Sequence, residues 1–250
     1  MRTPTSLKLQ PVIEASFELR FSLDTQISEI VPGYLFHSLD CQKPVENLPG
    51  SQIPKNVRDS DENLHYVILH RLEWDNYHIG ISDHGISLSS SLKYDGWTQF
   101  KEAILTIINE IKKLKLHDKL IRYSLKYVDF FEKTDSETSL FDKLNIEFQL
   151  HGESLGGNQL SLRLEKKEDD FDTAIQILTH ALVLSEDGSF NKKGLILDID
   201  TIKNLTNDED VKTFNNSCEG FLKSIHDKNK LAFFKCLKES TIESLEPIYD

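Results

Sequence analysis

Residues 11–24 alternate with a period of two: Ile13, Ala15, Phe17, Leu19 and Phe21 fall on one side, Val12, Glu14, Ser16, Glu18 and Arg20 on the other. An extended chain sends successive side chains to opposite faces, so the stretch predicts a strand with one apolar and one wet face. In residues 25–39, Ile27, Ile30, Val31, Tyr34, Leu35 and Leu39 stand near helical spacing, while Pro32 and Gly33 interrupt it, which predicts a short or broken helix. Residues 41–63 hold Pro44, Pro49, Gly50 and Pro54 and read as a long loop. Alternation then returns at Tyr66, Ile68, His70, Leu72 and Trp74, continues after the Asp75-Asn76 turn at Tyr77, Ile79 and Ile81, and resumes after Asp83, His84 and Gly85 at Ile86 and Leu88. This is a three-stranded meander.

From residue 94 to 116 the period becomes helical, with Trp97, Phe100, Ile104, Ile107, Ile108, Ile111 and Leu114 three and four apart and Asp95 placed to cap the start. A strand follows at residues 121–127, a short helix at 139–144, and strands at 146–150, 159–165, 173–185 and 195–202, the last after a turn at Asp187 and Gly188. A final helix from Asn207 or Asp208 carries Val211, Phe214, Cys218, Phe221, Leu222 and Ile225, then Phe233, Phe234 and Leu237, with its stripe blurred at Asn229. Leu245, Pro247 and Tyr249 mark the tail as a docking segment. Hairpin-like neighbours outnumber strand-helix-strand units, so the fold class is α+β, with antiparallel hairpins and a meander packed against two long amphipathic helices. The chain reads as one unit, divisible into residues 1–133 (strand, helix, meander, helix, strand) and 134–250 (antiparallel strands and the last helix).

Composition leaves that picture intact. The 250 residues are 38% hydrophobic and 28% charged, a globular profile. Forty-one acidic against 29 basic residues give a net charge of -12, which repels phosphate polymers and anionic membranes at long range and favours solubility or a basic partner. Cys41, Cys218 and Cys236 are an odd set; the last two, on one predicted helix, stand ~27 Å apart at the helical rise and cannot bridge. With no apolar run long enough to span a membrane and no leader-like start, a reducing, cytoplasmic setting is expected.

Chemistry is sparse. His70, His78 and His84 do not converge, because the Asp75-Asn76 turn sets His70 opposite Ile81 and His78 opposite Glu73; no metal or cofactor is implied. Asp198 and Asp200 share a strand face and, joined by Asp129, form a candidate carboxylate cluster able to hold a divalent cation or to split acid and base roles; the pair also reads as a plain solvent face, since Leu195, Leu197 and Ile199 already account for the buried side. Lys112, Lys113, Lys115, Lys119, Arg122 and Lys126 concentrate positive charge and are candidate phosphate contacts, although lysines at a helix end also complement its dipole. Tyr94, Trp97, Tyr127 and Tyr249 are candidate interaction or core aromatics. Gly156 and Gly157 lack the flanking pattern of a phosphate cradle, and Cys218, His226, Asp227 and Cys236 sit too far apart along one helix for a nucleophilic pair.

Several segments together resemble a sporadically distributed family of uncharacterised prokaryotic proteins of about this length. They are Pro11-Val12-Ile13-Glu14-Ala15 with Phe17-Glu18-Leu19-Arg20-Phe21, Tyr94-Asp95-Gly96-Trp97 with Phe100, and Leu125-Lys126-Tyr127-Val128-Asp129. Later come Leu197-Asp198-Ile199-Asp200, Ile225-His226-Asp227 with Phe234, and Leu245-Glu246-Pro247-Ile248-Tyr249. Lys126 and Asp129 stand where the family pattern has Arg and Asn. The resemblance implies one full-length unit with no assigned reaction, and its sporadic distribution is similar to that of mobile or defence genes. The expectation is therefore a non-enzymatic interaction component with a protein partner, in a toxin-antitoxin or anti-phage setting. The alternatives are a metal-dependent enzyme acting on nucleic acid through the local basic patch, and a small-ligand sensor.

Overall fold

In the computed structural model, the chain opens with β1 (Ser6–Leu7) and β2 (Val12–Phe21), followed by a 3-10 turn, helix α1 (Val31–Ser38), β3 (Glu46–Asn47) and helix α2 (Lys55–Ser60). The meander is β4 (His70–Trp74), β5 (Tyr77–Ile81) and β6 (Gly85–Ser90); helix α3 (Trp97–Lys113) and β7 (Leu120–Glu132) come next. Short strands β8 (Gln149–Leu150) and β9 (Glu153–Ser154) precede the long strands β10 (Ser161–Glu168), β11 (Phe171–Leu184) and β12 (Asn191–Asn204). Helices α4 (Asp208–Asn216), α5 (Cys218–Cys236) and α6 (Glu239–Ser244) and strand β13 (Pro247–Ile248) complete the chain. The structure describes every residue except 1–2, 23–25, 91–93, 134–138, 148, 152, 155–157, 169, 185–187, 189–190 and 250; the expectations at Asp24, Thr25, Gly156, Gly157, Ser185 and Asp187 lie outside the described residues.

The α+β class is as expected. Nine strands form an antiparallel sheet in the order β10-β11-β12-β7-β2-β6-β5-β4-β3, accompanied by the long helices α3 and α5. The chain divides into two compact units drawn from interleaved stretches: one from Met1–Ile13, Lys126–Thr201 and His226–Asp250, the other from Glu14–Leu125 and Ile202–Ile225.

In the second of these units the predicted meander register is observed, with His70 opposite Ile81 and Glu73 opposite His78. Asp75 turns the hairpin at φ 51°, a left-handed conformation that aspartate tolerates. Ala15, Phe17, Leu19 and Phe21 are buried as the alternation required, and α3 buries Phe100, Ile104, Ile107, Ile108 and Ile111. Tyr123 of β7 lies 4.8 Å from the Phe214 ring of α4 and 6.4 Å from Phe17.

Four expectations need correction here. Asp95 does not cap α3; it accepts a hydrogen bond from Asn76 at 3.0 Å, and Gly96 takes the capping position at φ 97°, which only glycine adopts freely. The loop at 41–63 contains β3, α2 and 3-10 turns, because Pro54 is pre-set for a helix start and Arg58 is pulled inward by a buried partner. The first meander strand begins at His70, leaving Tyr66 and Ile68 before it. The last helix is two: the short polar run Asn215, Asn216 and Ser217 breaks it, and the Lys112 amine takes the Asn215 carbonyl at 2.8 Å.

The other unit is built on Leu195, Leu197 and Ile199 of β12, Ile175 and Ile177 of β11, Phe131 of β7, Phe233 and Phe234 of α5, and Leu237 just beyond it, which form one buried cluster. Asn229, where the helical stripe blurred, is buried because its amide donates to the Ile199 carbonyl (2.8 Å) and to the Thr201 hydroxyl (3.1 Å), fastening α5 to β12. The tail docks as expected, with β13 pairing antiparallel with β1. Gly194 permits a close strand approach: a Cβ there would fall against the Phe131 carbonyl oxygen and 2.7 Å from two Phe130 ring carbons.

Candidate functional site

Along β10 and β11, Leu162 stands opposite Ile177, Leu164 opposite Ile175, Lys166 opposite Thr173 and Glu168 opposite Phe171. Opposed residues share a face, so this surface passes from apolar to polar along its length. Facing it, α5 presents Lys228, Leu231, Ala232, Lys235 and Cys236, spaced three and four apart on one side of the helix. With Asn145 and Ile146 these residues enclose a groove of 190 Å³. It shares Asn145 and Lys235 with a wider, open depression of 670 Å³ that Leu237, Lys238 and Glu239 complete.

The polar end is held by an ion pair from Lys228 to Glu168 at 2.7 Å. Beside it the Thr173 hydroxyl, 4% exposed, has no hydrogen-bond partner among the described residues. A buried hydroxyl without a partner costs free energy. Burial pushes the Cys236 thiol up to about 11, so it is protonated at neutral pH and is no nucleophile. Residues 226–238 carry Lys228, Lys230, Lys235 and Lys238 against Asp227 alone, a basic stretch in a chain of net charge -12.

The candidate carboxylates separate. Phe131 belongs to the buried cluster with α5, and Tyr127 sets its ring edge-on to His226 of α5 at 6.2 Å; Asp129, between them in alternation, projects to the same side. Asp198 lies between Leu197 and Ile199, which face that core, so Asp198 and Asp200 project from the opposite side, where Lys126 approaches Asp198 at 3.9 Å. Among the described residues, no group of three His, Cys, Asp or Glu is arranged to hold a metal ion.

Burial, and secondarily the Asp198 charge, raise the Asp129 pKa well above the ordinary aspartate range. A carboxyl whose folded pKa exceeds its unfolded one loses stability as pH rises from the unfolded value through the folded one. Asp129→Asn is therefore expected to raise the urea midpoint at pH 8 and to change it little at pH 4; equal shifts at both would refute the assignment.

The predicted cations are dispersed in their roles. Lys112 donates to Asn215 and to the Cys218 sulfur (3.3 Å), and Lys113 pairs with Glu110 at 2.6 Å. Lys115, two residues beyond α3, is left-handed and exposed, and Lys119 is exposed in a 3-10 turn; Arg122 is half-buried on β7. Of the aromatics, Tyr94 sets its ring edge-on to Phe100 at 6.1 Å, Trp97 is half-buried at the first position of α3, Tyr127 is buried, and Tyr249 is exposed in the tail.

The sequence reading missed two polar clusters. One is the groove. The other centres on Asp83, 1% exposed, which accepts from Arg58 Nε at 2.6 Å and from the Ser28 hydroxyl at 2.6 Å, with the His65 and His84 rings 4.7 Å apart alongside. Burial pushes the Asp83 carboxyl up, and its hydrogen bonds from Arg58 and Ser28 outweigh this to hold it below the usual range. This cluster pins the 41–63 segment to the meander and opens onto no groove among those described. Neither a family model nor a curated protein sequence matches the chain.

Proposed function

We propose that this chain is a protein-interaction component that docks a segment of another protein in the groove between β10, β11 and α5. The observation that carries the reading is the combination of an apolar floor, a lysine rim and a volume of 190 Å³. Sites for drug-sized ligands and cofactors occupy about 300–1,000 Å³, whereas a cavity of about 150 Å³ fits one benzene ring. The enclosed part thus suits one or two apolar side chains of a partner, and the open depression beside it suits the chain that bears them. Lys166 and Lys235 favour acidic residues flanking that anchor, whereas the overall charge favoured a basic partner.

The surroundings in which such docking operates rest on the resemblance noted above: a prokaryotic cytoplasmic protein in a toxin-antitoxin or defence assembly. Three free cysteines agree with a reducing compartment, and among the described residues no helix is long and apolar enough to cross a membrane. Tagged chain expressed in its native host is expected to co-purify with one stoichiometric protein, released as salt is raised. Lys166→Glu combined with Lys235→Glu should reduce its recovery at least about tenfold with the far-UV spectrum unchanged. Recovery of no such protein, or equal recovery by both chains, would refute the reading.

A further inference from the structure

We infer that β10 is an edge at which two copies of this chain pair, strand against strand. β10 ends the nine-stranded sheet, and among the described residues it pairs only with β11. All of its residues except Leu162 are exposed, Leu164 to 44%. Thr179 donates its amide to the Leu160 carbonyl at 3.0 Å, so the main chain at Leu160 points toward β11. Alternation then turns the N–H and C=O groups of Ser161, Arg163, Glu165 and Lys167 away from it. A row of outward backbone donors and acceptors eight residues long is a template for another strand.

The charges on this strand select the occupant. Five of its eight residues are ionised, a pattern that commonly keeps strands apart. In a two-fold antiparallel pairing each residue at the centre meets its own copy. Centring on Arg163, Glu165 or Lys166 would oppose like charges. Centring on Leu164 sets that leucine against the partner's Leu164, Arg163 against the partner's Glu165, and Glu165 against the partner's Arg163. Arg163 already bonds Glu165 within its own strand at 2.9 Å, so both side chains lie on one face and exchange partners across the two-fold. In the same register the outward-pointing residues become the hydrogen-bonded pairs. Centring on Leu162 also opposes apolar residues, with a shorter overlap.

This pairing has a geometric result for the groove, although it stands whether or not the groove binds a partner. Leu162, Leu164 and Lys166 of both copies come to the same face, so two grooves lie side by side and a two-fold partner would engage both.

Sedimentation equilibrium on the full chain tests the pairing. The wild type should reach twice the 28.8 kDa of one chain as its concentration approaches about 100 µM, as befits a small interface. Arg163→Glu and Glu165→Arg, each at an exposed site, should separately weaken association about tenfold or more by opposing like charges, and the two together should restore it. A wild type that stays monomeric, single reversals that leave association unchanged, or a double reversal that does not recover it would overturn the proposal.

Discussion

Arg58→Met is expected to remove about 3–5 kcal/mol of stability at pH 7, measured by urea unfolding. The side chain is 10% exposed and its guanidinium bonds Asp83, which is 1% exposed; it also donates to the Ile53 carbonyl. Methionine fills similar space and leaves a carboxylate stranded in the interior, which costs more than the pair contributes when intact. The sign of the pH dependence separates this from simple loss of packing. In the wild type the Asp83 pKa is depressed, so its contribution is present above the unfolded aspartate value and is lost as pH falls through the folded one. In the variant Asp83 lacks its counter-ion and keeps only the Ser28 hydrogen bond and the nearby His84 against burial, so the deficit should shrink as pH is lowered toward 4. A deficit independent of pH would mean that Arg58 acts by packing alone.

Gly194→Ala is expected to cost about 3 kcal/mol, at the upper end for an overpacked site, because its new methyl group meets main chain as well as side chain. The Phe130 ring can move; the Phe131 carbonyl, held in β7, cannot move without disturbing the strand. In a Phe130→Ala background the same substitution should therefore remain clearly destabilising. Full additivity of the two losses would point away from direct contact at this position.

What the amino-acid pattern disclosed and what it concealed follow from the range of the forces involved. Residues 12–21 and 97–113 could be read because each buries one face, and a buried face stamps its period on the local sequence. The register of the meander could be read because a two-residue turn fixes it. The groove could not, because Lys228 and Glu168, which close its polar end, are 60 residues apart and nothing local brings them together. A fragment of signal was present: Leu162, Leu164 and Lys166 alternate, and Lys228, Leu231, Ala232 and Lys235 follow helical spacing. The Arg58–Asp83 pair escaped because its arginine sits in a proline-rich stretch that resembles a loop, while its burial is a tertiary fact. For the carboxylates, the shared face of Asp198 and Asp200 was a local matter of alternation; the opposite face of Asp129 depended on which side of β7 meets α5.

The pairing of β1 with β13 constrains when this protein can fold on the ribosome. The unit that contains this pair takes strands and helices from residues near both ends of the sequence, so its structure cannot close until residues 247–248 have left the exit tunnel. The other unit needs residues 202–225 and likewise waits until they have emerged. Until then β10 and β11 can form their hairpin locally, while the α5 side chains that cover its apolar face do not yet exist as a helix. During translation Leu162, Leu164, Ile175 and Ile177 are therefore bare, and this is the interval in which a nascent chain is most open to aggregation or to capture by a chaperone.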